Sequence, residues 1–209
     1  MKKLLSLVLA LLLALSFAGC SGSTAMTEAN VTATVDSAFD ALKHFDTKKL
    51  EKYVDSKTLS VIITYANKHD QFADLGKALF KNLEYNIKRI DLNAKTVTVS
   101  VRNKDLKDTA SAFTKALVSK YSALQMLGLL NNETWLNTSL KSLTDSIAIA
   151  KMQSAPVSVT LTVTAGKKNL MLGFDDTAEN AVSGGALQAV KSLTSGLTGS
   201  KSTTESTSN

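Results

Sequence analysis

The chain has 209 residues, with 24 Lys and Arg against 18 Asp and Glu, a formal net charge of +6, and 44% hydrophobic residues. That balance describes a globular protein rather than a disordered one, and the length suits one domain or at most two small ones. A single cysteine excludes an internal disulfide framework and a zinc site of several thiolates, and two histidines are too few for a His-rich catalytic metal centre.

The first residues read as an address. Lys2 and Lys3 precede an apolar stretch from Leu4 to Phe17, broken only by Ser6 and Ser16. This stretch is shorter than the roughly 20 apolar residues of a permanent membrane span. Small residues Ala18 and Gly19 follow, as signal-peptide cleavage requires, and then the only cysteine, Cys20. The run Leu15-Ser16-Phe17-Ala18-Gly19-Cys20 resembles a bacterial lipobox. The resemblance implies a signal peptide over residues 1–19 and a diacylated Cys20 as membrane anchor. Two acyl chains hold a protein on a bilayer where one does not, at about 0.8 kcal/mol per buried methylene. Ser21, rather than Asp, gives no sign of inner-membrane retention. The expected location is extracytoplasmic, on the outer face of the cytoplasmic membrane, or on the outer membrane of a cell with two. Loss of Lys2 and Lys3 leaves 22 basic against 18 acidic side chains, a charge of +4.

Residues 20–26 form the expected flexible tether, rich in Ser and Gly. Residues 194–209 are nearly all Ser, Thr, Gly and Lys, a composition that cannot bury enough apolar surface to fold. The domain is therefore expected over residues 27–193.

Within it, Val31, Val35, Ala38, Phe39, Leu42 and Phe45 recur at helical spacing. Asp46 is placed to cap a short second helix carrying Leu50, Tyr53 and Val54. Leu59, Ile62, Ile63, Ala66, Phe72, Leu79 and Phe80 define a third helical segment over 59–83, with Gly76 as its weak point. The period then becomes two. Leu83, Tyr85 and Ile87 alternate with polar residues, Ile90 and Leu92 follow on the opposite phase, and the slip near Lys88-Arg89 predicts a β-bulge. After a turn at Asn93-Ala94, Val97, Val99 and Val101 alternate with Thr96, Thr98 and Ser100.

Two further helical stripes, Leu106 to Leu124 and Leu136 to Ala150, are separated by residues 128–132 and predict a helical hairpin. Pro156 marks the return to strand: Val157, Val159, Leu161 and Val163 alternate with Ser and Thr, and Gly166-Lys167-Lys168 turns into Leu170, Leu172 and Phe174. Asp176-Thr177-Ala178-Glu179 has the form of a capping box for a last helix, interrupted at Gly184-Gly185. The expected fold is α+β: N-terminal helices on a curved antiparallel four-stranded sheet, with the helical hairpin inserted between strands 2 and 3.

That order, carried by the segments 97–106, 159–163 and 175–185, resembles the nuclear-transport-factor-2-like (cystatin-like) domain of small bacterial lipoproteins. The resemblance implies a cone in which a curved sheet wraps a helix and can leave a pocket. It implies no activity, since one scaffold serves many functions.

The best acid–base candidates are His69, Asp70 and Asp74, because enzymes of this likeness work with a His or Asp inside the cone. Their setting in Lys68-His69-Asp70-Gln71 reads as a solvated helix surface or break. His44, beside Lys43, suits the C-terminal end of a helix, where a cation meets the dipole favourably. Asp175, Asp176, Glu179 and Asn180 lack the regular spacing and glycine of a calcium loop. No phosphate-cradling glycine loop or nucleophile elbow is present, and sequons at Asn30, Asn132 and Asn137 read as incidental. The basic run Lys43, His44, Lys48, Lys49, Lys52 and Lys57 could face anionic head groups, but Asp40, Asp46, Glu51 and Asp55 interleave with it. It lacks the aromatic interleaving that single-stranded nucleic acid requires, and export argues against a nucleic-acid partner.

Thr96, Thr98, Ser100, Ser158, Thr160, Thr162 and Thr164 form the wet face of the sheet or a partner-binding face. Trp135 reads as core, or as an interface anchor if exposed. The expectation is an envelope-anchored module that binds a small ligand or an envelope protein, with no cofactor, metal or assigned catalytic residue. The alternatives are an enzyme using His69 or a pocket Asp, and an assembly factor using the helical hairpin.

Overall fold

The computed structural model describes residues 24–189; the expected signal peptide, Cys20 and the tail at 194–209 lie outside them. Helix α1 (Glu28–His44) starts at Thr27, whose hydroxyl accepts from the Asn30 N–H at 3.2 Å. Its apolar stripe of Val31, Val35, Ala38, Phe39 and Leu42 is fully buried. The helix ends where Phe45 takes a left-handed φ of 48° and returns its N–H to the last turn. Asp46 caps α2 (Thr47–Tyr53), accepting from the Lys49 N–H at 3.1 Å.

Ser56 then caps α3 (Lys57–Ala66), and α4 (Asp70–Phe80) follows. The break falls at the polar run Asn67, Lys68 and His69, which corrects the expectation of one segment weakened at Gly76. Gly76 is buried inside α4, because a Cβ there would lie 2.5 Å from the Phe45 ring.

The sheet corrects a second expectation. Strands β2 (Glu84–Asp91), β3 (Thr96–Arg102), β4 (Val157–Ala165) and β5 (Leu170–Gly173) form the antiparallel set, with a register shift between Ile87 and Arg89 at the foreseen bulge. A fifth strand, β1 (Val54–Asp55), pairs parallel with β5 through Val54–Leu172 and Asp55–Gly173. The sheet is therefore mixed and five-stranded, in the order β1-β5-β4-β3-β2. Two residues are too few for an alternation to show in sequence, so Val54 read as the end of a helical stripe.

One sheet face carries Val97, Val99, Val101, Val159, Leu161, Val163, Leu170 and Leu172, all buried. Helix α1 fills that face: Phe39 stacks on Tyr85 with centroids 4.5 Å apart and lies 6.2 Å from Phe174.

Between β3 and β4 the chain forms three helical segments where two were expected. Helix α5 (Lys107–Lys120) ends at extended Tyr121. Ser122 and Gln125 then close a capping box on the short α6 (Ala123–Leu129). Helix α7 is continuous but changes pitch: Glu133–Trp135, a π-helical turn Leu136–Leu140, then Lys141–Ile149. It packs on α4 and α5. The last helix, α8 (Asp176–Val182), is capped by Asp175, which accepts from the Ala178 N–H at 2.8 Å; the expected box of Asp176 with Glu179 does not form, because the Glu179 carboxyl turns to Ser56 and Thr58.

Two groups of hydrogen bonds tie these layers together. Asn103, fully buried, donates from Nδ2 to Leu79 O at 2.9 Å and Val182 O at 2.7 Å, and accepts from the Lys104 N–H at 2.8 Å. Gly184, at φ 62°, receives the Leu106 N–H at 2.8 Å and approaches Lys104 O so closely that a Cβ would sit 1.9 Å from it. At the opposite end of the sheet, Thr24 Oγ1 donates to Lys168 O at 2.7 Å in the β4–β5 turn, and Val163 N donates to Lys95 O at 2.8 Å, tying β4 to the β2–β3 turn.

Candidate functional site

His69 does not lie on a solvated face. Its side chain is only 13% exposed, and Nδ1 is hydrogen-bonded to Glu133 Oε1 at 2.8 Å. Gln71 Nε2 donates to Glu133 Oε2 at 3.0 Å and to Asn137 Oδ1 at 2.6 Å. These contacts fasten the α3–α4 break to the start of α7. The His69 hydrogen bond first, then that of Gln71, holds the Glu133 carboxyl below the usual carboxylate range. Asp70 opens α4, and Asp74 pairs with Lys77 at 3.1 Å on the surface, so the structure does not join either to His69 as an acid–base pair. The partner that matters, Glu133, is 64 residues away in sequence.

The remaining expected residues scatter. His44 sits in the last turn of α1, with Nδ1 2.9 Å from Asp40 O. Lys49 reaches Asp40 at 3.4 Å and Asp46 at 3.9 Å, so the basic run is partly neutralised by its own acids. Asp175 is a cap, and Asn180 Oδ1 accepts from the Gln188 N–H at 2.9 Å. Among the described residues no group of three or more His, Cys, Asp or Glu is placed to hold a metal ion. No described helix is long and apolar enough to cross a membrane. On the Ser/Thr face, Thr98 and Thr160 hydroxyls lie 3.3 Å apart, Ser100 is buried, and the β4 residues are exposed.

Among the described residues, three cavities bear on function. The first, about 380 Å³, lies among α4, α5, α6 and α7 and is walled by Phe72, Phe113, Leu117, Met126, Trp135 and Leu143, among others. Among the described residues no ionisable side chain lines it. Of its threonines, Thr114 already donates to Ala110 O at 2.8 Å. Trp135, the only tryptophan, is half-buried in this wall. Helix α6 covers it from one side, with Met126 and the following Leu130 in the wall, while Leu124 and Leu127 are 80% and 62% exposed.

The second cavity, about 280 Å³, lies among Leu59, Ile62, Phe80, Val182 and Leu187; it shares Leu79 and Ala186 with the first. The third is a polar cleft of about 670 Å³ at the C-terminal end of β5, bordered by Asp55, Lys57, Thr160, Thr162 and Asp175. Glu179 lines both the second cavity and this cleft.

No protein-family model, curated protein or solved structure matches the chain. The site has to be understood from its own chemistry.

Glu179 is the residue that sequence reasoning placed wrongly. It is 6% exposed. Its Oε1 accepts from the Ser56 hydroxyl and from the Thr58 N–H at 3.3 Å, while Oε2 has no hydrogen-bond partner among the described residues. Ser56 lies 123 residues earlier, so nothing local could have signalled the pair. The first cavity was closer to legible: Phe113, Leu117, Leu140 and Leu143 belong to the two helical stripes, but which gaps their packing leaves is a tertiary property.

Proposed function

We propose that this chain is a lipid-anchored extracytoplasmic lipoprotein whose nuclear-transport-factor-2-like domain binds a small apolar ligand. The observation that carries the reading is the cavity among α4, α5, α6 and α7: lined mainly by aliphatic and aromatic side chains, with no ionisable group among the described residues, and bordered by a short self-capped helix. Pre-formed apolar hollows of a few hundred Å³ are where small molecules bind. An enzyme built on His69 is the weaker reading, since His69 lines none of the three cavities and is engaged by Glu133. The resemblance of Leu15-Ser16-Phe17-Ala18-Gly19-Cys20 to a bacterial lipobox supports the anchor.

Native mass spectrometry of the protein extracted from the membrane of the cell that produces it tests both halves. The expected spectrum shows a diacylglyceryl-modified N-terminus at Cys20 and an additional non-covalent mass, reproducible between preparations. A clean, ligand-free monomer overturns the binding reading, and retention of residues 1–19 overturns the anchor.

A further inference from the structure

The polar cleft at the C-terminal end of β5 is built by three neighbouring strands. Asp55 pairs with Gly173 and Gly173 with Thr162, so two polar side chains flank a bare stretch of backbone. A Cβ on Gly173 would lie 2.2 Å from Thr162 Oγ1, because that hydroxyl leans over the glycine. Thr160, also exposed, stands two residues along the same strand face.

Strands β1 and β5 run parallel here, and each passes into a helix: Ser56 caps α3 and Asp175 caps α8. In open sheets, ligands bind where parallel strands end and helices begin. Helix N-termini ordinarily offer N–H donors to anions. In this cleft the chain's own oxygens take them: Ser56 Oγ accepts from Leu59 N, Glu179 Oε1 from Thr58 N, and Asp175 Oδ1 from Ala178 N. The wall is left rich in acceptors, with four acidic side chains against one lysine, Lys57, among its described residues.

Glu179 adds a buried acceptor to that wall. It is 6% exposed, and its Oε2 has no partner among the described residues, Lys57 included. Ser56 and Thr58, which hold Oε1, both line the cleft, whereas the neighbouring apolar cavity presents only carbon. A buried acceptor without a donor is rare and calls for one.

We propose that the cleft binds a small hydroxylated molecule carrying a primary ammonium, with an amino sugar as the simplest example. The site is distinct from the apolar hollow and goes beyond the function proposed above. An ammonium has three donors and no acceptor. Glu179, Asp55 and Thr162 supply an acceptor for each, and Thr160 and Thr177 exchange hydrogen bonds with the ligand's hydroxyls. The volume of about 670 Å³ suits such a molecule. An anionic ligand would meet the acidic wall as a like charge, and a neutral sugar would lack the charge-assisted bonds.

The test uses the full chain in nanodiscs of zwitterionic lipid, with threonine methyl groups labelled for NMR. The β-1,4-linked trimers of glucosamine, N-acetylglucosamine and glucose are titrated in turn. The glucosamine trimer should bind tightest, moving the Thr160 and Thr162 signals and leaving Thr114, in the wall of the apolar cavity, in place. Acetylation removes the charge and should weaken binding roughly tenfold or more. Glu179→Gln should cost the amine about as much, and Asp55→Asn, at an exposed side chain, about threefold or more; the glucose trimer should respond less to either.

Equal affinity for the amine and its acetylated form in the unaltered protein, a comparison that needs no variant to fold, overturns the cation assignment. Shifts confined to threonines outside the cleft overturn the location, as does full affinity in folded Asp55→Asn and Glu179→Gln. Binding of none of the trimers overturns the site itself and leaves the apolar-ligand reading, which concerns another cavity, as it stood.

Discussion

Asn103 offers the sharpest test of how the layers are held. Its side chain makes three hydrogen bonds at zero exposure: to the last turn of α4 at Leu79 O, to the end of α8 at Val182 O, and from the Lys104 N–H. Asn103→Ala removes all three and leaves three backbone groups in a space from which water is excluded. Each net hydrogen bond is worth about 1 kcal/mol and each stranded group up to a few more, so the substitution should cost about 3 to 5 kcal/mol. For a domain of this size that corresponds to a fall in Tm of about 10 °C or more. Urea denaturation followed in parallel by Trp135 fluorescence and far-ultraviolet circular dichroism measures it. Asn103→Asp keeps the shape, but turns two donor contacts into repulsion between a carboxylate and two carbonyl oxygens; it should be at least as damaging. A loss below about 1 kcal/mol for both variants would refute the claim that this side chain fixes α4 to α8. Because Leu79 and Val182 also wall the cavities, the same variants should lower the affinity of any apolar probe.

Other outcomes are equally specific. Gly76→Ala should destabilise by about 1 to 3 kcal/mol in thermal melts, although alanine favours a helix, because the new Cβ meets the buried Phe45 ring at 2.5 Å. Tyr85 should ionise only near pH 12, pushed up first by burial and then by its 2.8 Å hydrogen bond to Asp36, as a tyrosinate difference spectrum against Tyr85→Phe would show. Its folded-state value is the raised one, so its contribution to stability is complete below about pH 10 and disappears as the pH climbs through about 12. Glu133 works in the other direction. Its depressed carboxyl favours the fold above the ordinary glutamate range and ceases to do so as the pH falls through its folded value, and His69→Ala should move its titration upward in carbon-detected NMR. Leu124→Ser and Leu127→Ser should change the melting free energy by less than about 0.5 kcal/mol, whereas Leu106→Ala, at a residue 1% exposed, should cost about 2 to 5.

Periodicity and chemistry made the long elements legible. The stripe from Val31 to Leu42, the cap at Asp46, the clean alternation of β3 and β4, and the bulge at Lys88 all follow from side-chain spacing that a single element dictates by itself. Where the sequence misled, a partner distant in the chain had intervened. Gly76 looked like a helix breaker because Phe45, which needs the missing Cβ, is 31 positions earlier. Val54 looked helical because only β5 makes it a strand. Glu179 looked like a capping residue because the local pattern fits, and its turn toward Ser56 depends on the close approach of α3 and α8. The extra break at Tyr121-Ser122 falls in a stretch whose apolar spacing runs on unbroken; the Ser122–Gln125 box that restarts the chain there lay hidden beneath the stripe.

The bond from Thr24 to Lys168 bears on how the domain stands on a surface. On the proposed anchor, Thr24 is four residue steps from the lipidated cysteine, a stand-off of at most about 14 Å. With that anchor the hairpin turns carrying exposed Lys95, Lys167 and Lys168 would face the bilayer. Each lysine close to an anionic leaflet contributes about 1 kcal/mol of attraction. The basic run near His44 and Lys49 belongs to the far end of α1, a helix of 17 residues and hence about 25 Å long. Helices α5 to α7 leave the sheet from the end away from these turns, at Arg102 and Val157. The protein would thus stand upright, with its polar turns as a foot and its apolar hollow raised toward the aqueous side.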